Sequence, residues 1–298
     1  QESANNLDSK EVVLKRINGD DSDFEMFNLP LRMTAGTRTS SLIPYSNYPS
    51  QNLVDAFETV NGYKVTLENT GWVCEDPAFD PQSPYENRDK RFYRAILANG
   101  MSFKDYTIET FKGGADDGIV SQGGSPTGYF LRKYIQEATS FEPGKEAVSK
   151  HHWVIYRYAE TLLTYAESMV NAFNDVNYTD ETYKYSALWA INKVRKNADM
   201  PLIPSMGKDE FMERLYNEWR VEFAFEDHRF WDVRRWKIAD TTQRELYGVK
   251  IEKQADGTFN FYKNLYETRN WRDCMYLYPI PQSELYKNTN LNPQNTGW

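Results

Sequence analysis

Three glutamates, Glu218, Glu222 and Glu226, recur every four residues in a segment with helical periodicity. Paired carboxylates are the usual acid and base of a glycosidase, so this spacing first suggests hydrolytic chemistry. Side chains four residues apart share one face of a helix, however, and cannot flank a scissile bond from two sides. The pattern favours ion pairs that hold helices together, because a guanidinium can bind a carboxylate through two hydrogen bonds. The arginines nearby in the sequence are Arg220, Arg229, Arg234 and Arg235.

Histidine and cysteine offer little further chemistry. Besides the doublet at 151–152, the chain has only His228, which precedes Asp232 by four residues. Two ligands without a third are more typical of a capping or salt-bridge contact than of a metal site. Cys74 and Cys274 could form a disulfide, but two lone thiols this far apart more often stay unpaired. The sequence therefore predicts no catalytic residue, no metal and no cofactor.

Ligand binding has more material, since aromatic residues make up 15% of the chain. A sugar ring presents C–H groups to an aromatic face, while Arg and Asn side chains hydrogen-bond to the adjacent hydroxyls. Some of these rings could instead hold their loops against the protein body. The predicted ligand-binding residues are the aromatic side chains of apparent loops and their polar neighbours, namely Tyr45, Tyr48, Trp72, Tyr85, Arg38, Asn47 and Asn87.

The charge balance excludes one class of partner. The net charge is −8 and the isoelectric point about 5.1, with no run of Lys or Arg to form a basic patch. A non-specific nucleic-acid binder needs such a patch, so nucleic acid is not an expected partner. The sequence also has no apolar run of about 18 residues, the length that a transmembrane helix requires.

The elements that must position these side chains differ between two parts of one domain. Residues 1–150 have short, broken periodicity, with a strand predicted at 11–16, a short piece at 62–65 and long loops between. Residues 151–298 turn helical. Because long loops in a compact domain often carry binding function, the first part is predicted to present the ligand-binding loops.

In the second part, apolar residues recur with the period of an amphipathic helix. Helices are predicted at 158–169, at 182–197, after Gly207 and at 228–238. The closely spaced Pro279 and Pro281 predict an extended, then turn-like ending, because proline interrupts a helix. The tryptophans on the helical stripes are predicted to be core residues, namely Trp189, Trp219, Trp231 and Trp236.

Several of these segments resemble the SusD/RagB family in their order along the chain. In the second part, they are YRYAETLLTYAE at 156–167, AINKVR at 190–195, EWRVEFAFEDHRFWDVRRW at 218–236, LYPIPQSEL at 277–285 and NPQNTGW at 292–298. In the first part, they are PSQNLVDAFE at 49–58, ENRDKRFY at 86–93, where Lys90 replaces the usual proline, and TGYFLRKY at 127–134. Any one match is weak, but together they cover nearly the whole chain.

The resemblance implies a mainly α, SusD-like fold, of which this chain would form the C-terminal half with helices, long loops and a few short strands. Family members are surface lipoproteins that cover a TonB-dependent outer-membrane transporter. An N-terminal half with tetratricopeptide-like helix pairs, a signal peptide and a lipidated cysteine would precede this chain. Attachment to the outer membrane is therefore expected only through a lipid anchor outside it.

Three functions follow from the resemblance and the residues together. The first is non-catalytic capture of oligosaccharides at the cell surface for delivery to the transporter. The second is the same architecture binding peptides or another nutrient. The third, a glycoside hydrolase, is least expected, because the glutamates share one helix face.

Overall fold

The structure, a computed structural model, describes residues 10–35, 46–118 and 123–298. It confirms the expected mainly α fold with long loops and short strands. The α-helices of the described residues are α1 (Asp23–Asn28), α2 (Gln51–Val54), α3 (Lys90–Ala95), α4 (Tyr158–Phe173), α5 (Ala187–Asn197), α6 (Lys208–Glu222), α7 (His228–Arg235), α8 (Ala239–Thr242) and α9 (Gln282–Lys287). Short 3₁₀ turns lie at Leu31–Thr34, Asp273–Tyr276 and Thr289–Leu291.

The strands pair in antiparallel twos. The pairs are β1 (Val12–Asp21) with β8 (Ser149–Arg157), β2 (Val65–Glu68) with β3 (Gly71–Cys74), β4 (Ile96–Leu97) with β7 (Phe130–Leu131), β5 (Ser102–Phe103) with β6 (Tyr106–Thr107), and β9 (Glu245–Lys253) with β10 (Phe259–Thr268). The predicted first strand is confirmed by β1 and extends to Asp21.

Helices α4, α5 and α6 pack around one hydrophobic cluster in the second part of the chain. Helix α4 buries Leu162, Ala166 and Met169, as its stripe predicted. Helix α5 begins later than predicted because the hydroxyl of Ser186 accepts a hydrogen bond from the Trp189 amide at 3.1 Å. A capping serine at this position satisfies an amide that has no partner inside the helix.

Two long strand pairs were not predicted. Strand β8 covers the stretch where the helical pattern was expected to begin, and β9 pairs with β10 inside the part predicted to be helical. The turn between β9 and β10 carries Asp256-Gly257, with Gly257 at φ +89°. Asp-Gly between two runs of β-forming residues is a strong hairpin signal, which the helical interpretation overlooked.

The β9–β10 hairpin packs on the first part of the chain. Val249, Ile251 and Phe261 join the cluster that holds β2, β3 and α3. The Val249 amide donates to the Thr127 carbonyl at 2.8 Å. Gly128 has φ +81°, and a Cβ there would lie 2.6 Å from the Val249 carbonyl oxygen, so this close approach requires glycine.

The chain ending departs from the prediction in one respect. The extended segment stops at Pro281, and α9 begins directly after it at Gln282. Proline is tolerated at a helix start, because the first amides of a helix have no intrahelical acceptor. Cys74 and Cys274 are both free thiols. No helix within the described ranges combines the length and apolar character needed to cross a bilayer.

Candidate functional site

Tyr48 and Asn47 lie in a described loop that is tied to the end of α1. The Asn47 amide donates to Oδ1 of Asn28 at 2.8 Å, and Ser46 Oγ donates to the Phe27 carbonyl at 2.6 Å. The Asn47 side chain is exposed, and the Tyr48 ring is half-buried. One side of that ring packs edge-on against a second aromatic ring in the core cluster. The loop is therefore anchored while these two side chains still reach the surface.

Trp72 and Tyr85 lie in the core. Trp72 belongs to strand β3, not to a loop, and is 8% exposed, while Tyr85 is 6% exposed. Their rings meet edge-on with centroids 5.8 Å apart, and the Tyr85 hydroxyl lies 3.2 Å from that of Tyr129. The loop assignment of Trp72 was wrong, because alternation along β3 turns its ring inward. In this packing neither ring offers a free face for stacking.

The other predicted residues are separate from this core. Asn87 is exposed in a turn, with φ 52° and its carbonyl accepting from the Val60 amide at 2.8 Å. Asparagine tolerates this left-handed conformation better than most residues. Arg38 and Tyr45 lie outside the described residues.

Helix α6 ends at Glu222, so Glu226 lies in the turn that follows and does not share the helix face predicted for all three glutamates. The three glutamates form an ion-pair cluster with arginines from distant segments, which we call the arginine–carboxylate lattice. Arg91 on α3 donates to Glu218 at 2.6 Å and to Glu222 at 2.7 Å. Arg157 at the end of β8 donates to Glu222 at 2.5 Å and to Glu226 at 2.9 Å. The lattice comprises Glu218, Glu222, Glu226, Arg91, Arg157 and Arg195.

Electrostatics keep Glu222 ionised. Burial by itself would raise its pKa, but the guanidinium groups of Arg157 and Arg91 outweigh burial and lower the pKa to about 2. A general acid needs a pKa near the working pH, so Glu222 is unsuited to deliver a proton at neutral pH. The cavity beside it, about 200 Å³, is lined in part by the same paired side chains. This geometry ties α3, β8 and α6 together.

The predicted lattice is confirmed in kind, but its partners were partly wrong. Arg235 pairs with Glu167 and with Asp232, as an ion-pairing arginine should. Arg234 instead lies over the Phe230 ring, 3.5 Å from its centroid. The guanidinium groups of Arg220 and Arg229 form no ion pair and no hydrogen bond with any of the described residues.

The turn from α6 to α7 opens a cavity that we call the elbow cleft. Phe225 and Asp227 in this turn have φ 63°, which redirects the chain sharply between the two helices. The cavity measures about 330 Å³. Its lining combines aromatic rings, arginines and small polar groups, including Tyr48, Ser50, Arg220, Phe225, Arg229, Phe230, Thr242, Gln243 and Arg269.

Rings and hydrogen-bonding groups face the same space in the elbow cleft. Phe230 is 44% exposed, and Tyr48 borders the cavity from the opposite segment of the chain. Arg220 and Arg229 supply donors that are not used by a carboxylate of the described residues. Flat apolar faces beside unused donors can bind a molecule that presents C–H faces and hydroxyls together.

Sequence reasoning missed the two exposed aromatic residues of α7, Phe230 and Trp231. Trp231, predicted as core, is 56% exposed, and it forms a surface aromatic group with Phe230 and Tyr278. Trp189 is also exposed, whereas Trp219 is buried as predicted. The signal was present in the sequence. Successive helix residues are rotated by about 100°, so Trp231 points about 200° away from Val233, which is buried on the same helix.

Sequence similarity places the chain in a known protein family. The profile of the SusD family, SusD_RagB, matches residues 11–298, so the chain belongs to the SusD family. The chain is 32% identical over 262 residues to SusD-like protein P2 of Formosa agariphila, covering 83% of this chain and 45% of that protein. It is 24% identical over 227 residues to SusD-like protein P38 of the same organism, covering 70% and 37%.

Solved structures agree with the family assignment. A SusD-like protein from Bacteroides fragilis superposes with a TM-score of 0.74 at 28% identity, covering 98% of this chain and 55% of that one. A second protein from the same organism, described as a SusD-like carbohydrate-binding protein, has a TM-score of 0.67 at 24% identity, covering 95% and 55%. The chain thus spans about half the length of the proteins it resembles.

Proposed function

We propose that this protein binds oligosaccharides at the cell surface without cleaving them and delivers them to a TonB-dependent outer-membrane transporter. Membership of the SusD family supports this function. The observation that carries it in this chain is the elbow cleft, where exposed aromatic faces and unused hydrogen-bond donors converge. A lipid anchor outside this chain would hold the protein at the outer membrane.

The contacts with sugar are proposed for the elbow cleft and the loop beside it. Arg234 covers one face of the Phe230 ring. The other face of this ring and the accessible part of Tyr48 would stack on the C–H faces of a sugar, while Gln243 and the two arginines bind hydroxyls. Asn47 extends this surface, and Asn87 stays a separate predicted contact. Trp72 and Tyr85 support the fold in this proposal, because both are buried. Arg38 and Tyr45 remain predicted contacts.

The carboxylates argue for binding over hydrolysis. A glycosidase needs two carboxyl groups on opposite sides of the bond, about 5 to 9.5 Å apart. Asp227 is the one carboxylate among the described residues that line the elbow cleft. The glutamates of the lattice are engaged by Arg91 and Arg157. We therefore expect no product release from any oligosaccharide, and no difference in this respect for Glu222→Gln.

Isothermal titration of the chain with a panel of oligosaccharides tests this function. For a sugar that binds, Phe230→Ala and Tyr48→Ala are each expected to weaken binding by about 1–3 kcal/mol, because a buried stacking contact is lost. Tyr286→Ala is the matched control, since this exposed ring lies outside the lining of the cleft. Equal weakening by Tyr286→Ala, or none by the two cleft variants, would contradict the placement of the site.

A peptide ligand is the second candidate, and it predicts a different result from the same protein. A peptide panel would then raise the melting temperature while the sugar panel leaves it unchanged, because a ligand that binds only the folded state stabilises it. The exposed aromatic group of Phe230, Trp231 and Tyr278 is the observation that keeps this candidate open, since such rings also anchor protein partners.

A further inference from the structure

Two guanidinium groups line the same cavity at the α6–α7 elbow, and neither forms an ion pair with a carboxylate of the described residues. Arg220 lies in the last turn of α6, and Arg229 lies in the first turn of α7. Both line the elbow cleft, and both also line a neighbouring cavity of about 420 Å³. The two side chains therefore form a wall shared by two open spaces.

None of the carboxylates around this pair, Asp227 of the elbow cleft included, forms an ion pair or hydrogen bond with Arg220 or Arg229 in the described part of the chain. Asp232 accepts a hydrogen bond from Arg235 at 3.0 Å. Asp55 accepts from the side-chain amide of Gln51 at 2.6 Å and from the backbone amide of Leu67 at 3.2 Å. Glu58 on the far side of the neighbouring cavity binds two other arginines. Glu210 and Glu213, on the same cavity, are exposed. Within the described residues, the charges of Arg220 and Arg229 thus lack a bonded counter-ion.

The charged form of each guanidinium group is disfavoured at this position. Burial, followed by repulsion from Arg229, lowers the pKa of Arg220 to about 9. Burial likewise lowers the pKa of Arg229, and its Nε atom is buried without a hydrogen-bond partner. A buried polar group without a hydrogen-bond partner destabilises the folded protein. A negatively charged ligand group would supply both the missing charge and the missing hydrogen bond.

We propose that Arg220 and Arg229 form an oxyanion-binding site that receives the carboxylate or sulfate group of an acidic glycan. The inference rests on the proposed binding function and narrows its ligand class. A guanidinium binds such groups through two parallel hydrogen bonds, and two of them can hold one oxyanion from both sides. The Phe230 and Tyr48 faces beside the pair would bind the sugar that carries the charge.

Calorimetric titration of the chain with tetragalacturonate and with its fully methyl-esterified counterpart tests this inference. The two probes share one backbone and differ only in charge. Wild-type protein is expected to bind the acidic probe at least tenfold more tightly. Arg220→Met and Arg229→Met are each expected to remove that preference, while Arg244→Met retains it. Arg244 is an exposed arginine outside the lining of both cavities, so its variant controls for net charge.

The result separates this inference from the function on which it rests. Equal affinity of the wild type for both probes, or a preference that survives both arginine variants, overturns the oxyanion site and leaves glycan binding intact. Binding of inorganic sulfate that depends on the two arginines, with no binding of either probe, overturns the glycan as the source of the anion. A sulfated oligosaccharide titrated against its desulfated form extends the test to the second oxyanion, with the same expected pattern.

Discussion

The arginines of this protein lie in two contrasting environments around α6. In the arginine–carboxylate lattice, Arg91 and Arg157 are each paired with two glutamates, so their positive charges are compensated. In the elbow cleft, Arg220 and Arg229 line an open cavity and have no ion pair in the described residues. A buried charge that has its partners holds elements together, and one that lacks them is available for a ligand.

The geometry of α6 explains why one helix serves both environments. Successive residues are rotated by about 100°, so Glu218 and Glu222 share a face while Arg220 points about 200° from Glu218. The glutamates then meet arginines from α3 and β8, and Arg220 turns toward the elbow. Residues two apart on a helix cannot pair with each other. The nearest arginine in sequence is therefore excluded from the lattice.

Removal of a lattice arginine is expected to have the largest effect on stability. Arg157→Ala removes one partner from both Glu222 and Glu226, and breaking one side of a buried ion pair costs about 3–5 kcal/mol. Urea unfolding measures this loss. Arg269→Ala is the control, because its pair with Glu267 is exposed and should contribute less than about 1 kcal/mol. Similar losses in both variants would remove the distinction between lattice and surface pairs.

Acid is expected to remove the contribution of Glu222 to the free energy of unfolding over a defined pH range. Its pKa is lowered in the folded protein, so its stabilising effect is complete above its unfolded value near 4.5 and is lost as the pH falls toward 2. The difference in unfolding free energy between wild type and Glu222→Gln is expected to hold constant from pH 7 to 5. It should then shrink by an amount on the order of 3 kcal/mol.

The same acid titration has an internal reference at the surface. Glu284→Gln removes an exposed pair with Lys287, which should contribute little at any pH. A difference between wild type and Glu222→Gln that stays constant down to pH 2.5 would show that Arg91 and Arg157 do not hold this carboxylate in its charged form.

Removal of an elbow arginine is expected to have the smallest effect on stability. Arg220→Met deletes one of two repelling charges and keeps most of the side-chain volume, so the unfolding free energy in chloride buffer should stay the same or rise by about 1 kcal/mol. Arg91→Met, the matched change in the lattice, should lower it. A loss for Arg220→Met as large as that for Arg157→Ala would mean that Arg220 has a structural partner.

The helical elements and the family were predictable, whereas most of the candidate site was not. The stripe of α4 and the segment at 218–236 carry local periodicity and local motifs, which a sequence displays directly. Trp72, Tyr85 and Tyr48 are all aromatic and lie in similar, loop-like sequence. Trp72 and Tyr85 are nevertheless buried, whereas Tyr48 is half-buried. Aromatic rings suit both a core and a sugar site, so their type alone does not separate the two.

The amino-acid order by itself determined helices α4 to α7, the family motifs and the negative net charge, because each depends on neighbours a few residues apart or on total composition. Tertiary structure decided which arginine meets which carboxylate. Arg157 lies 65 residues from Glu222 along the chain and bonds to it, while Arg220 lies two residues away and does not. Folding brings distant guanidinium groups to the face of α6 that carries Glu218 and Glu222, and it leaves Arg220 on the opposite side without an ion pair in the described part of the chain.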